Sequence, residues 1–281
     1  MVTAFVLAGG GSLGAVEVGM LQALLEHGER PDLVVGASAG AINGACFAAD
    51  PTLAGVAKMA ATWCALRREH IFPLGIGTLL ALLLRRDHLV GSHGLRGLLE
   101  AHLPYRLLEH AALPIHVVAT ELASGDEVLL SEGPAVDAVL ASAAIPGIFP
   151  SVSIGGRELV DGGVANNTPI SAAIGLGAQR VLVLPTGFAC ALKRIPTTII
   201  GKALHSLNLL VARQLVHDIA RYRDSVALHV VPPLCPLDFS PYDYGGAAAL
   251  IDRAATSTRA WINAGGLAAQ AQPGRLVEHH H

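Results

Sequence analysis

The sequence predicts an α/β fold built on a mostly parallel central sheet, and three observations predict it. Short apolar strands alternate with helical patterns along the chain. A strand, a glycine-rich loop, a helix and a second strand complete a βαβ unit by residue 36. A chain of 281 residues with 52% apolar and 15% charged side chains can bury a sizeable core, which argues against disorder. The length fits one α/β domain over residues 1–277.

Thr3 to Ala8 reads as a short buried strand. Val16, Met20, Leu21, Leu24 and Leu25 then fall at helical spacing, with Gly28 as the stop. Asp32 to Val35 is the second buried strand, and the Ala-rich helix after it ends near Asp50-Pro51, because proline cannot continue it. Another helix covers Thr52 to Arg68. Ile71 to Leu84 is the most apolar stretch, too short for a membrane span and interrupted by Pro73, Gly75 and Gly77. It reads as a core helix; the alternative is an apolar flap over the site that touches lipid through 71–86, with Arg85 and Arg86 at the headgroups.

Ser92 is placed to cap a helix over Gly94 to His102. Pro114 to Thr120 reads as a strand, Ser124-Gly125 as a turn and Glu127 to Leu130 as its hairpin partner. A helix over Pro134 to Ala144 runs into a constrained loop, 145–150. Two short strands flank Gly155-Gly156, and the second runs into Asp161-Gly162-Gly163. Ile170 to Leu176 is helical, Arg180 to Leu184 a buried strand, and Ile199 to Tyr222 a long amphipathic helix. Val226 to Val231 is the last strand and Gly246 to Ile262 the last helix.

A net charge of −3 gives no electrostatic case for nucleic acid. Cys46, Cys64, Cys190 and Cys235 lie far apart, without metal spacing or a disulfide framework. No acidic cluster implies calcium, and no cofactor is called for. Residues 278–281 look like a purification-tag remnant. No basic segment precedes the first apolar residues, which argues against a signal peptide and for a cytoplasmic protein, touching the membrane only at its periphery.

The chemistry centres on Gly36-Ala37-Ser38-Ala39-Gly40, between a strand and a helix. Such a turn is sharp, so small residues must flank the serine, whose hydroxyl stands at a helix N-terminus. A second copy of Gly-x-Ser-x-Gly, Gly10-Gly11-Ser12-Leu13-Gly14, competes with it. Ser12 is followed by bulky Leu13 and sits in a run of glycines, which suits a loop of bare N–H donors rather than a nucleophile. Ser38 is therefore assigned the attack, and Gly9, Gly10 and Gly11 an oxyanion hole. A serine hydroxyl needs a base. The histidines outside the tag fall within strand-like or helical runs or in no convincing loop, whereas Asp161 stands at a strand end beside two glycines. Asp-Gly-Gly by itself is also an ordinary turn.

Three motifs in order resemble the patatin-like phospholipases, a family of lipid acyl hydrolases. Residues 9–14 resemble the family's oxyanion loop, residues 36–40 its nucleophile elbow, and Asp161-Gly162-Gly163 its Asp-Gly-Gly/Ala motif. The runs 119–122, 141–146 and 166–169 are similar too, so the resemblance spans about residues 3–185, and 186–277 is less distinctive. It implies a three-layer α/β/α, patatin-like architecture and a Ser38–Asp161 dyad without histidine. It also implies a lipid or ester substrate, hydrolysed with help from the Gly9–Gly11 amides. Gly14, Gly36, Gly40, Gly162 and Gly163 are the motif glycines. Leu13 departs from the family, where a basic residue is common.

Other readings carry less. An α/β-hydrolase esterase requires a histidine base and more strands before the serine than the two that fit here. A dinucleotide site matches Gly-x-Gly-x-x-Gly at residues 9–14 but lacks an acidic residue at the end of the second strand. A lipid-binding pseudoenzyme without turnover is separated from an enzyme by reaction with a fluorophosphonate probe.

Overall fold

The computed structural model describes residues 1–71, 88–187, 199–235 and 244–272. The apolar run 71–86 lies outside them except for Ile71, as do Cys190 and the tag remnant.

One eight-stranded sheet organises the chain. Its strands are β1 (Thr3–Leu7), β2 (Leu33–Ala37), β3 (Ile115–Glu121), β4 (Glu127–Leu130), β5 (Val152–Ile154), β6 (Arg157–Asp161), β7 (Arg180–Leu184) and β8 (Ala227–Val230). Along the sheet they run β5-β6-β3-β2-β1-β7-β8, with β4 also paired to β3. The stretch from β3 through β2, β1 and β7 to β8 is parallel. The hairpin strands β4, β5 and β6 supply the antiparallel part.

Alternation along the strands produces the layers. From β1, Phe5 and Leu7 enter a core with helices α1 (Ala15–Glu26), α2 (Ala39–Ala49) and α3 (Leu53–Ala65). Ala4 and Val6 enter a second core on the opposite face. The same split recurs on β7, where Leu182 and Leu184 face the first core and Val181 and Val183 the second. A strand covered on both faces has no polar side to show, which is why these runs are continuously apolar rather than alternating.

After α3 a single turn, α4 (Arg68–Ile71), precedes the undescribed stretch. Then come α5 (His93–His102), α6 (Ala135–Ser142), α7 (Gly163–Asn166), α8 (Ile170–Gly175), α9 (Ile199–Tyr222) and α10 (Ala247–Asn263). α10 covers α1 in the first core, while α8 and α9 cover the second.

Three sequence expectations change. The helix expected over Thr52 to Arg68 breaks at Leu66, which is extended (φ −63°, ψ 138°). Ser92 makes no side-chain cap; its carbonyl instead accepts the Arg96 N–H at 2.8 Å. β2 runs on to Ala37, because Gly36 pairs with Leu7 and Val117, and Ala37 with Val118.

Candidate active site

Only Ser38 separates β2 from α2. Its backbone (φ 53°, ψ −121°) is the one non-glycine positive φ among the described residues. That conformation costs about 1–3 kcal/mol for a residue with a Cβ, so its surroundings must hold it. The Ser38 carbonyl accepts the N–H groups of Ala41 (3.0 Å) and Ile42 (3.2 Å). The Ser38 N–H donates to Ser142 Oγ at 2.9 Å. The glycines of the motif leave room for the bend. A Cβ on Gly36 would stand 2.4 Å from the Gly40 carbonyl oxygen, and one on Gly40 2.2 Å from that of Leu7.

Asp161 reaches Ser38 through the pairing of β3. β2 pairs with β3 over 115–118, and β4 pairs with it over 117–120, so these two use opposite edges. β6 pairs over 119–121, overlapping β4, and must therefore share the edge with β2. β2 ends at Ala37 opposite Val118, and β6 ends at Asp161 opposite Ala119. Two strands running toward each other along one edge thus stop at adjacent registers, and their ends meet.

There, Ser38 Oγ donates to Asp161 Oδ2 at 2.7 Å. Asp161 Oδ1 accepts the Gly163 N–H at 2.8 Å, and the Asp161 carbonyl accepts the Thr120 hydroxyl at 2.8 Å. Gly162 turns the chain against β3, where a Cβ would stand 2.1 Å from the Val118 carbonyl oxygen. Both Ser38 and Asp161 are buried. Burial raises the Asp161 carboxyl from 3.8 to about 6, against the opposing hydrogen bonds from Ser38 and Gly163.

The glycine loop passes directly over the serine: a Cβ on Gly9 would stand 3.1 Å from Ser38 Cβ. Gly9 is clamped on both sides. Its N–H donates to the Asn167 carbonyl at 3.0 Å, and its carbonyl accepts Thr186 Oγ1–H at 2.7 Å and Asn167 Nδ2–H at 3.3 Å. The Gly9 amide is therefore occupied, whereas no described residue accepts the N–H of Gly10 or Gly11. Gly11 adopts φ 59° and begins the 3-10 turn Gly11–Gly14. Ser12 and Leu13 lie buried inside that turn, and Gly14 packs 3.1 Å from Ala39 Cβ, measured from a Cβ built on it.

A cavity of about 650 Å³ opens from Ser38 and Gly11 and runs between α2, α3 and α5. Its wall is mainly apolar, with Ile42, Met59, Trp63 and Leu99 among its members. Among the described residues no cluster of three or more His, Cys, Asp or Glu side chains is arranged to hold a metal. His116 bonds to Ser131 Oγ (2.7 Å) and His229 Nδ1 to the Ala269 carbonyl (3.0 Å); neither bonds to the dyad.

The model of the patatin-like phospholipase family matches residues 5–174. The chain belongs to that family. It is 36% identical over 167 residues to an uncharacterised NTE family protein of Mycobacterium tuberculosis, covering 58% of this chain and 27% of that one. It is 29% identical over 186 residues to patatin-like phospholipase domain-containing protein 7 of Rattus norvegicus, covering 66% of this chain and 13% of that one. The chain thus spans about a quarter or less of the length of these relatives. Among solved structures, VipD from Legionella pneumophila superposes with a TM-score of 0.49 at 16% identity, covering 94% of this chain and 67% of that one. Human GIVD cytosolic phospholipase A2, in complex with methyl gamma-linolenyl fluorophosphonate, superposes with a TM-score of 0.48 at 14% identity, covering 95% and 58%.

Three residues at this patatin-like site have no role in the sequence reading: Ser142 and Asn167, which fall within the similar runs 141–146 and 166–169, and Thr186. Each supports the backbone of a motif residue rather than offering a reactive group. The available signal was a lone hydroxyl in the alanine-rich run 141–144, and an Asn-Asn-Thr run after the Asp-Gly-Gly motif.

Proposed function

We propose that the chain is a serine esterase that hydrolyses lipid acyl esters through a Ser38–Asp161 dyad. The observation that carries this reading is the 2.7 Å hydrogen bond from Ser38 Oγ to Asp161 Oδ2. In the first step Ser38 Oγ bonds to the acyl carbon and its proton passes to Asp161. The negative charge on the former carbonyl oxygen is held by the free amides of Gly10 and Gly11, with Gly9 as their anchor rather than a third donor. Collapse expels the alcohol, which takes the proton from Asp161. Water then attacks the acyl-serine, gives its proton to Asp161, and releases the acid as Ser38 regains its hydroxyl.

An ordinary aspartate is a weak base near neutrality. Asp161 at about 6 is a stronger one, yet remains mostly ionised at neutral pH. The apolar cavity beside Ser38 suits a hydrocarbon chain, and its volume lies within the roughly 300–1,000 Å³ of ordinary ligand pockets. Among the described residues no helix is long and apolar enough to cross a membrane.

The test is hydrolysis of a panel of phospholipids, glycerides and short esters, with labelling by a fluorophosphonate probe. The wild-type protein should turn over one or more esters and take up the probe, and Ser38→Ala should do neither. A folded wild-type protein that binds lipid but neither reacts with the probe nor turns over an ester is a pseudoenzyme, and the proposal fails.

A further inference from the structure

Glu17 is a buried carboxyl that the dyad chemistry does not use. It lies in the first turn of α1, just after the glycine loop, with no solvent exposure. Its Oε2 accepts Asn43 Nδ2–H at 2.7 Å, while Oε1 is buried and has no partner of hydrogen-bond geometry among the described residues. A buried oxygen that no protein group satisfies costs stability, so the residue calls for another account.

Its partner supplies one. Asn43 lies on α2, the helix that begins beside Ser38. Its Nδ2 donates both to Glu17 and to the carbonyl of Gly14 at 2.8 Å, and its Oδ1 accepts Trp63 Nε1–H at 2.9 Å. Both amide hydrogens and the carbonyl are thereby engaged, which fixes which way the amide faces. Gly14 closes the turn that Gly11 begins. This one side chain therefore ties the end of the glycine loop to the helix that carries the nucleophile.

We infer that Glu17 and Asn43 are positioning residues: together they set the height of the Gly10 and Gly11 amides over Ser38, and so act on the transition state rather than on substrate binding. The inference rests on the esterase reading above. Without Glu17, one buried Asn43 hydrogen loses its acceptor, and only the Gly14 carbonyl and the Trp63 N–H still hold the amide, so a turn that finds the hydrogen a new acceptor costs the bond to Gly14. The loop then shifts, and a displacement of a fraction of an ångström is costly for donors that must meet a developing oxyanion. Burial pushes the Glu17 carboxyl well above the usual carboxylate range, which favours its neutral form. A glutamine can match it, with a carbonyl for Asn43 and N–H groups in place of the O–H. A leucine fills the space without either.

The experiment measures kcat and KM for p-nitrophenyl butyrate, with a thermal melt for each protein. The set is wild type, Glu17→Leu, Glu17→Gln, Asn43→Ser and the Glu17→Leu/Asn43→Ser double variant. Glu17→Leu and Asn43→Ser should each lower kcat at least about tenfold and leave KM within about threefold. The double variant should be no worse than the poorer single one, because both break the same tie. Glu17→Gln should restore most of the kcat that leucine loses. A folded Glu17→Leu with wild-type kcat, a Glu17→Gln no better than the leucine variant, or losses that simply multiply would overturn the inference. If Glu17→Leu does not fold, Asn43→Ser decides: lower kcat at unchanged KM supports the inference, and undiminished kcat ends it. A wild-type protein that turns over no ester defeats the esterase reading and this one together, whereas an active wild type with an indifferent Glu17→Leu defeats only this one.

Discussion

The hydroxyl of Ser142 bridges the backbone after β2 to that of β3: it accepts the N–H of Ser38 at 2.9 Å and donates to the carbonyl of Val118 at 2.5 Å. All three groups are buried. The bridge holds the strained Ser38 peptide against β3, at the register where β6 delivers Asp161.

Ser142→Ala removes both bonds and leaves a buried N–H and a buried carbonyl unsatisfied. It should destabilise the protein by about 1–3 kcal/mol. Because the lost contact fixes the serine rather than the substrate, kcat should fall more than KM rises. Urea denaturation and steady-state kinetics on one ester check both halves. Unchanged stability would mean that water replaces the hydroxyl.

The Ser38 conformation gives a prediction of opposite sign. Glycine reaches a φ of 53° without the penalty that a Cβ brings. Ser38→Gly should abolish turnover and yet melt above Ser38→Ala, with a difference of about 1 kcal/mol or more. Ser38→Ala keeps the strain and loses only the hydroxyl. Equal melting temperatures for the two would show that the elbow stores no strain at the serine.

Local signals in the sequence sufficed for the elements and for the elbow. Apolar runs such as Thr3–Leu7 are legible because a strand covered on both faces must be apolar throughout. Gly36 and Gly40 are legible because the bend admits nothing larger. The Asp-Gly-Gly motif marks Asp161, but its meeting with Ser38 depends on β2 and β6 sharing one edge of β3. That is a fact of tertiary pairing, with no local trace. The same holds for Gly9: nothing near it signals that the carbonyl of Asn167, 158 positions away, takes up its N–H. The break at Leu66 was hidden for a different reason, since leucine is a good helix former and carries no stop signal.

The dyad should show itself in the pH profile. In the proposed mechanism only the ionised Asp161 takes the serine proton, so kcat/KM should be level above about 6 and fall about tenfold per pH unit below it. Asp161→Asn should cut the rate by about two orders of magnitude or more and lose this limb. For stability the sign is reversed. The folded state keeps the proton up to about 6, whereas the unfolded chain releases it near 3.8, so folding takes up protons between those values. The corresponding stability is fully present below the lower value and is lost as pH rises through the upper one. Asp161→Asn, which carries no buried charge, should therefore gain in melting temperature relative to wild type as pH rises from acid to mildly alkaline. An acid limb that persists in a residually active Asn variant would place the titrating group elsewhere.

If the acyl group of the proposed reaction lies in the cavity, α2 is its ruler. Ser38, Ile42, Cys46 and Ala49 all line the cavity, at the three- and four-residue spacing of one helix face. At 1.5 Å per residue, Ile42 lies about 6 Å from Ser38 along the helix, Cys46 about 12 Å and Ala49 about 16 Å. Burial pushes the Cys46 thiol up to about 12, so at neutral pH it is an uncharged part of the wall. A chain esterified at Ser38 should pass these side chains in that order. Ile42→Trp should impair p-nitrophenyl octanoate and palmitate and affect butyrate least. Cys46→Phe should leave butyrate nearly unaffected and suppress palmitate, and Ala49→Phe should act on palmitate alone. The measurement is kcat/KM for the three esters against each variant. Losses of the same size on butyrate and palmitate would show that the chain does not run along α2, and that the cavity beside Ser38 is not where the acyl group lies.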